Sequence, residues 1–262
     1  MSQWLVTNVP ALLLLVLLVV VIVGGALLIQ KFVRRRFAGA AGEEINDVTR
    51  FAFGFVGFVY AFIIGFIISS MWSQTSTAQS NAAAEGAAAV QMARDLDGFE
   101  KSDSDRVRQG LLEYERAAIA EWDRGTGERS TEADLALARL NTAYDRVNAT
   151  TDAQKTRLAT SYTNLGAISQ ARTVRLLTAR VDVAPPWPLW TVIVLISVLV
   201  IGCAIVYSVE QPKMHYPMVA VFSLMVAANL FLVLELTYPY AGAVGITSAP
   251  LQEAIAILGQ SH

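Results

Sequence analysis

The chain has 262 residues, 54% of them hydrophobic and only 16% charged, with a mean hydropathy of +0.46. Soluble domains average about 25% charged residues, so this balance points to a membrane protein, and the excess of Arg over Lys with abundant alanine points to a bacterial source. A formal charge of −2 gives no handle for nucleic acid, the single cysteine, Cys203, excludes disulfides and cysteine metal clusters, and two histidines, His215 and His262, are too few for a histidine metal site.

The predicted elements are helical throughout, an all-α chain with four transmembrane helices in two pairs. The first pair occupies residues 1–72, with spans at about 9–30 and 51–72. Each is close to the ~20 residues that cross ~30 Å of hydrocarbon. In lipid the helix is the natural choice, because each backbone N–H is satisfied within its own segment. The first run is no cleavable signal peptide, since Lys31, Arg34, Arg35 and Arg36 follow its apolar core instead of preceding it. The second pair lies in residues 187–262, with spans at about 187–209 and 216–236 and a short C-terminal tail. Trp187, Trp190, Tyr216, Tyr238 and Tyr240 mark span ends, where amphipathic rings favour the interface.

Between the pairs, residues 73–186 hold 14 of the 20 basic and 16 of the 22 acidic residues, so this insert is the aqueous part. Val107, Leu111, Tyr114, Ala118 and Trp122 form one helical stripe, and Leu158, Tyr162, Leu165 and Ile168 another. Thr131 with Asp134, and Thr151 with Gln154, have the spacing of capping boxes. Gly125 and Gly127 mark a turn, and the Ala-rich stretch after Thr75 extends the second span as a helix beyond the membrane. The insert reads as three or four amphipathic helices whose interspersed charges form solvated faces.

No nucleophile elbow, phosphate loop or zinc-helix motif occurs, so the sequence predicts neither an enzyme, a metal site nor a cofactor. The second span carries the strongest pattern. Phe51, Phe55, Phe58, Phe62 and Phe66 share one face, beside a small-residue ridge of Gly57, Ala61 and Gly65 that suits close helix packing. The rings either face lipid, fill the bundle, or line a pore as an apolar constriction that gates by dewetting. Glu235, near the end of the fourth span, snorkels to water or pairs with an arginine, and Asn229 reads as interhelical glue. Cys203 reads as a packing residue, and His215 falls in a short solvated turn.

Over about residues 40–255 the chain resembles the bestrophin-like family of bacterial membrane proteins and, more distantly, the bestrophin anion channels. The resemblance rests on Asn46-Asp47, Gly57, Tyr60 and Trp72 around the second span, and on Glu85 just after it. Tyr114, Glu121-Trp122, Arg172, Arg175 and Glu235…Pro239-Tyr240-Ala241-Gly242 complete the set. It implies a plasma-membrane homo-oligomer, a pentamer if bestrophin-like, passing small anions along a pore lined by the second span. Phe55, Phe58 and Phe62 are then the neck candidates. Ala243-Val244-Gly245-Ile246 stands where calcium-activated bestrophins carry an acidic cluster, which speaks against calcium gating. The alternative is a non-conducting scaffold or sensor whose insert binds a partner. Orientation is contested. Five Lys/Arg in loop 31–50 place that loop in the cytoplasm, whereas bestrophin architecture places the insert there.

Overall fold

A computed structural model of the chain describes residues 6, 9–36, 43–124, 127–180, 185–206, 212–240 and 245–260; these are α-helical apart from one 3-10 turn and short connections. The helices are α1 (Ala11–Arg36), α2 (Glu43–Asp95), α3 (Lys101–Asp123), α4 (Thr131–Asp145), α5 (Asp152–Arg180), α6 (Trp187–Val206), α7 (Pro212–Leu236) and α8 (Ala249–Gln260). Four of them are long and apolar enough to cross a membrane, over Ala11–Arg36, Phe51–Gly98, Trp187–Val206 and His215–Leu236. The chain divides into two compact units, residues 1–73 with 183–245, and residues 74–182 with 246–262.

In the first unit, α1 ends on Arg34, Arg35 and Arg36, whose charge complements the exposed carbonyls of a helix C-terminus. It packs along α7 and touches α6. The main apolar cluster draws Tyr60, Ile64, Ile67 and Met71 from α2, Ile193 and Val200 from α6, and Val226, Val233 and Leu236 from α7. Packing therefore runs across the two sequence pairs as well as within the second, where α6 meets α7. Asn229 donates to the Tyr60 hydroxyl at 3.4 Å, tying α7 to α2 as the glue reading expects.

In the second unit, α3 packs against α4 and α8. The stripe Val107, Leu111, Tyr114, Ala118 and Trp122 is buried throughout. On α5, Leu165 and Ile168 are buried, but Tyr162 lies exposed and donates to Asp145 at 2.8 Å. The box at Thr151 and Gln154 forms reciprocally, each backbone N–H reaching the other's side-chain oxygen at 3.2 Å. The one expected at Thr131 does not form. Ser130 caps α4 without a side-chain bond, and Asp134 turns to arginines instead. Gly127, at φ 66°, supplies the left-handed turn, whereas Gly125 lies outside the described residues. The C-terminal segment, expected as a tail of the second pair, forms α8 and belongs with the insert.

Gly86 is where α2 meets α8: a Cβ there would lie 2.5 Å from the Pro250 Cβ and 2.6 Å from its carbonyl oxygen. Gly86→Ala is expected to lower stability by about 1–3 kcal/mol, the usual cost of overpacking. Gly166→Ala meets nothing within 4 Å and should instead gain up to roughly 1 kcal/mol from helix propensity. Thermal unfolding of the two variants in detergent checks the contrast.

Candidate functional site

The insert was expected to present its charges to water, yet its centre is ionic and buried. Glu85 on α2, Glu121 on α3, and Arg172 and Arg175 on α5 are all at most 3% exposed. Arg172 grips Glu121 with two parallel bonds, Nε to Oε1 at 2.9 Å and Nη2 to Oε2 at 2.7 Å, and its Nη1 reaches Asp134 at 2.7 Å. Arg175 bonds Glu85 through Nε at 3.2 Å and bridges to Glu121 at 3.4 Å. The Ser130 amide donates to Glu121 at 2.7 Å, so the carboxylate also anchors the start of α4. Arg175 stacks over the Trp122 ring at 4.7 Å, and the Trp122 indole N–H donates to the Ile246 carbonyl at 3.1 Å. The Tyr114 hydroxyl donates to Glu85 at 3.3 Å. The motif residues of the insert, scattered over 90 positions of sequence, thus form one contiguous network joining α2, α3, α4, α5 and the segment before α8.

Burial by itself would raise the Glu121 carboxyl. The Arg172 hydrogen bonds, the Ser130 amide and both guanidinium charges outweigh it, leaving the group below the usual carboxylate range. Burial works the other way on Tyr114, reinforced by the Glu85 and Glu115 charges, so its hydroxyl stays protonated and able to donate. Glu115 is fully buried beside this network and is pushed well above the usual range by burial and then by the Glu85 charge.

In the first unit, α2 packs Phe53 edge-on against Phe222 of α7 but turns the predicted phenylalanine row away from the core. Phe55, Phe58 and Phe62 keep 61%, 70% and 69% of their surfaces exposed, and Phe51 and Phe66 are exposed with them. No described helix covers them, so the rings do not fill the bundle of the described residues. Ala61 and Gly65 are exposed too, and nothing lies within 4 Å of a Cβ built on Gly57 or Gly65. Within the chain, close packing of α2 falls on the Tyr60 face and not on the small-residue ridge. Trp72 is exposed on α2.

Glu235 and Pro239 are buried, so Glu235 does not reach out to water. His215 is buried as well, not solvated. Its Nδ1 accepts from Arg34 at 2.6 Å, which makes Nε2 the protonated nitrogen that donates to the Ala204 carbonyl at 3.1 Å. The imidazole thereby links α1, α6 and α7. Asn46 and Asp47 sit in α2 where side chains fall outside the described structure, and Gly242 lies outside the described residues. Among those described, no group of acidic, His or Cys residues could hold a metal ion.

Glu115, Arg172 and Arg175 were missed as buried groups, although a signal for them existed. Extending the α5 stripe of Leu165 and Ile168 by four and seven positions from Ile168 lands on Arg172 and Arg175. Glu115 stands four residues after Leu111 of the α3 stripe. The residue types masked the period.

The family model for the bestrophin-like domain matches residues 16–251. No curated protein and no solved structure matches the chain. A match over most of its length shows the family: the chain belongs to the bestrophin-like proteins.

Removing one partner of a buried ion pair strands the other, at a cost of about 3–5 kcal/mol. Arg172→Ala is therefore expected to lower stability by that amount. Arg172→Lys should recover only part of it, because an ammonium cannot repeat the two parallel bonds. Glu121 contributes stability that is complete above its unfolded value near 4.3 and is lost as pH falls through its lower folded value. Melting curves from pH 3 to 7 for both variants and the parent chain test the two expectations together.

Proposed function

We propose that the protein is a passive ion channel of the plasma membrane, a homo-oligomer in which α2 faces a central pore and small anions pass. The observation that carries this reading is the exposed row Phe51, Phe55, Phe58, Phe62 and Phe66, left uncovered by every described helix. Several copies arranged about an axis would bring these rings together. A ring of apolar side chains disfavours a continuous water column, which makes the row an apolar gate.

Ala61 and Gly65 support assembly of copies along the same helix, since small residues let backbones approach closely where lipid offers no hydrophobic drive. No nucleophile, metal or cofactor enters this function. The ions move down their own gradient, and the protein supplies the path and its closure.

Replacing Phe58 and Phe62 together with alanine is expected to widen and wet the constriction, raising anion flux in reconstituted vesicles at unchanged thermal stability. Background flux with full stability would place the rings against lipid and overturn the pore. Ala61→Leu should shift the purified protein toward smaller species on sizing with light scattering. A parent chain that is monomeric in mild detergent and in vesicles would end the channel reading.

A further inference from the structure

Glu115 is a buried carboxyl that the ion network does not use. It is fully buried, and neither oxygen has a hydrogen-bond partner among the described residues. Buried polar atoms in native proteins are nearly always paired, so such a group calls for a physical reason. Its place can be read from helix register. Arg108, Glu115 and Trp122 stand seven residues apart, within about 20° of one face. Arg108 reaches the Leu258 carbonyl at 2.9 Å and Trp122 the Ile246 carbonyl. The two contacts run in opposite chain directions, which sets Glu115 against the start of α8. Donors there are already committed, because the Leu251 and Gln252 amides both bond the Ser248 carbonyl. Segment 246–258 brings one titratable side chain, Glu253, and it is exposed. From α2 comes Glu85, from α5 comes Arg175, and from α3 itself comes Tyr114. Arg175, the cation that acts on Glu115, is already bonded to Glu85.

We propose that Glu115 is a proton-sensing residue of the extramembrane unit: on losing its proton it competes with Glu85 for Arg175 and loosens the clamp between α2 and α5. While the proton stays, the clamp is undisturbed and Glu115 is a neutral filler beside α8. Once it leaves, two buried carboxylates share one guanidinium, and repulsion between them acts on α2, the helix that also carries the phenylalanine row. The sensing itself does not depend on whether that row lines a pore.

The sign follows from which state keeps the proton. The unfolded chain releases it near pH 4.3, while the folded chain holds it to higher pH, so this group's contribution to stability falls as pH rises above 4.3 until the folded value is passed. Glu115→Gln keeps the shape and removes the titration. The melting temperature of the variant relative to the parent chain, in detergent, should climb by on the order of 5 °C between pH 4.5 and 8; the offset at pH 4.5 is immaterial. A constant difference across that range overturns the proposal. Infrared difference spectra supply a second readout. The parent chain should show a protonated-carboxyl band at neutral pH that is missing from the variant, and Glu85→Gln should move the disappearance of that band to lower pH. A parent chain without the band at neutral pH, or a band indifferent to Glu85, also overturns it.

Discussion

Taking charges out of water is expensive, and the second unit does so with two guanidiniums and two carboxylates at once. Each ion costs several kcal/mol to desolvate, which is repaid only if geometry is good and the remaining bonds are filled. Here they are filled from separate elements: α2 brings Glu85, α3 brings Glu121 and the Trp122 face, α4 brings Asp134 and the Ser130 amide, and α5 brings both arginines. Such a network adds little net stability over an apolar core of the same shape. What it supplies is discrimination, because any slip in helix register strands a charge. The Ala-rich helices around it need that, since alanine faces can slide past one another with little loss of contact.

The same helix serves both units with one stripe. Buried positions on α2 run Tyr60, Ile64, Ile67, Met71, Thr75, Ala78, Ala82, Glu85, Ala89 and Met92, close to the helical repeat over its whole course. The chemistry of the stripe changes along the way from large apolar side chains to alanine and then to an ion. Glu85 is therefore an inward residue of the second unit, at a position that follows the same helical spacing. At 53 residues the helix rises about 80 Å, more than twice a hydrocarbon core. The helix thus continues past the apolar run into the charged insert without a break.

What could be read from the sequence was whatever hydropathy period reports. The four spans, the α3 stripe, the continuation of α2 and the capping box at Thr151 follow from local pattern, and the structure has all of them. The family motif residues of the insert were recognisable, but not that they meet, because contact over 90 residues of sequence has no local signature. Charge defeated pattern at Arg172 and Arg175, which occupy inward positions that apolar residues would have advertised. His215 and Asp134 were misread for a related reason. Their partners, Arg34 and Arg172, lie on distant helices, so each looked like a local feature of a turn or a cap. Helix α8 was hidden by its length, although Leu251, Ala254 and Leu258 carry its buried face.

Exposure alone does not distinguish a pore-facing phenylalanine from a lipid-facing one, since hydrocarbon solvates a phenyl ring well. The distinction lies in what shares the face. On the other spanning helices, exposed runs are built from branched aliphatics, such as Leu12, Leu13, Val16 and Leu17 on α1, and Val194, Leu195, Val198 and Leu199 on α6, with Phe32 and Trp187 exposed singly. Such side chains mix freely with lipid tails. The exposed side of α2 instead interleaves phenylalanines with Gly54, Ala61, Gly65 and Ser69. Lipid chains gain nothing from glycine, which leaves a furrow beside each ring, whereas another helix gains close backbone approach from it. A surface that alternates phenyl rings with the smallest side chains suits a neighbouring copy better than a fluid, and it is on this contrast within one chain that the proposed assembly around α2 rests.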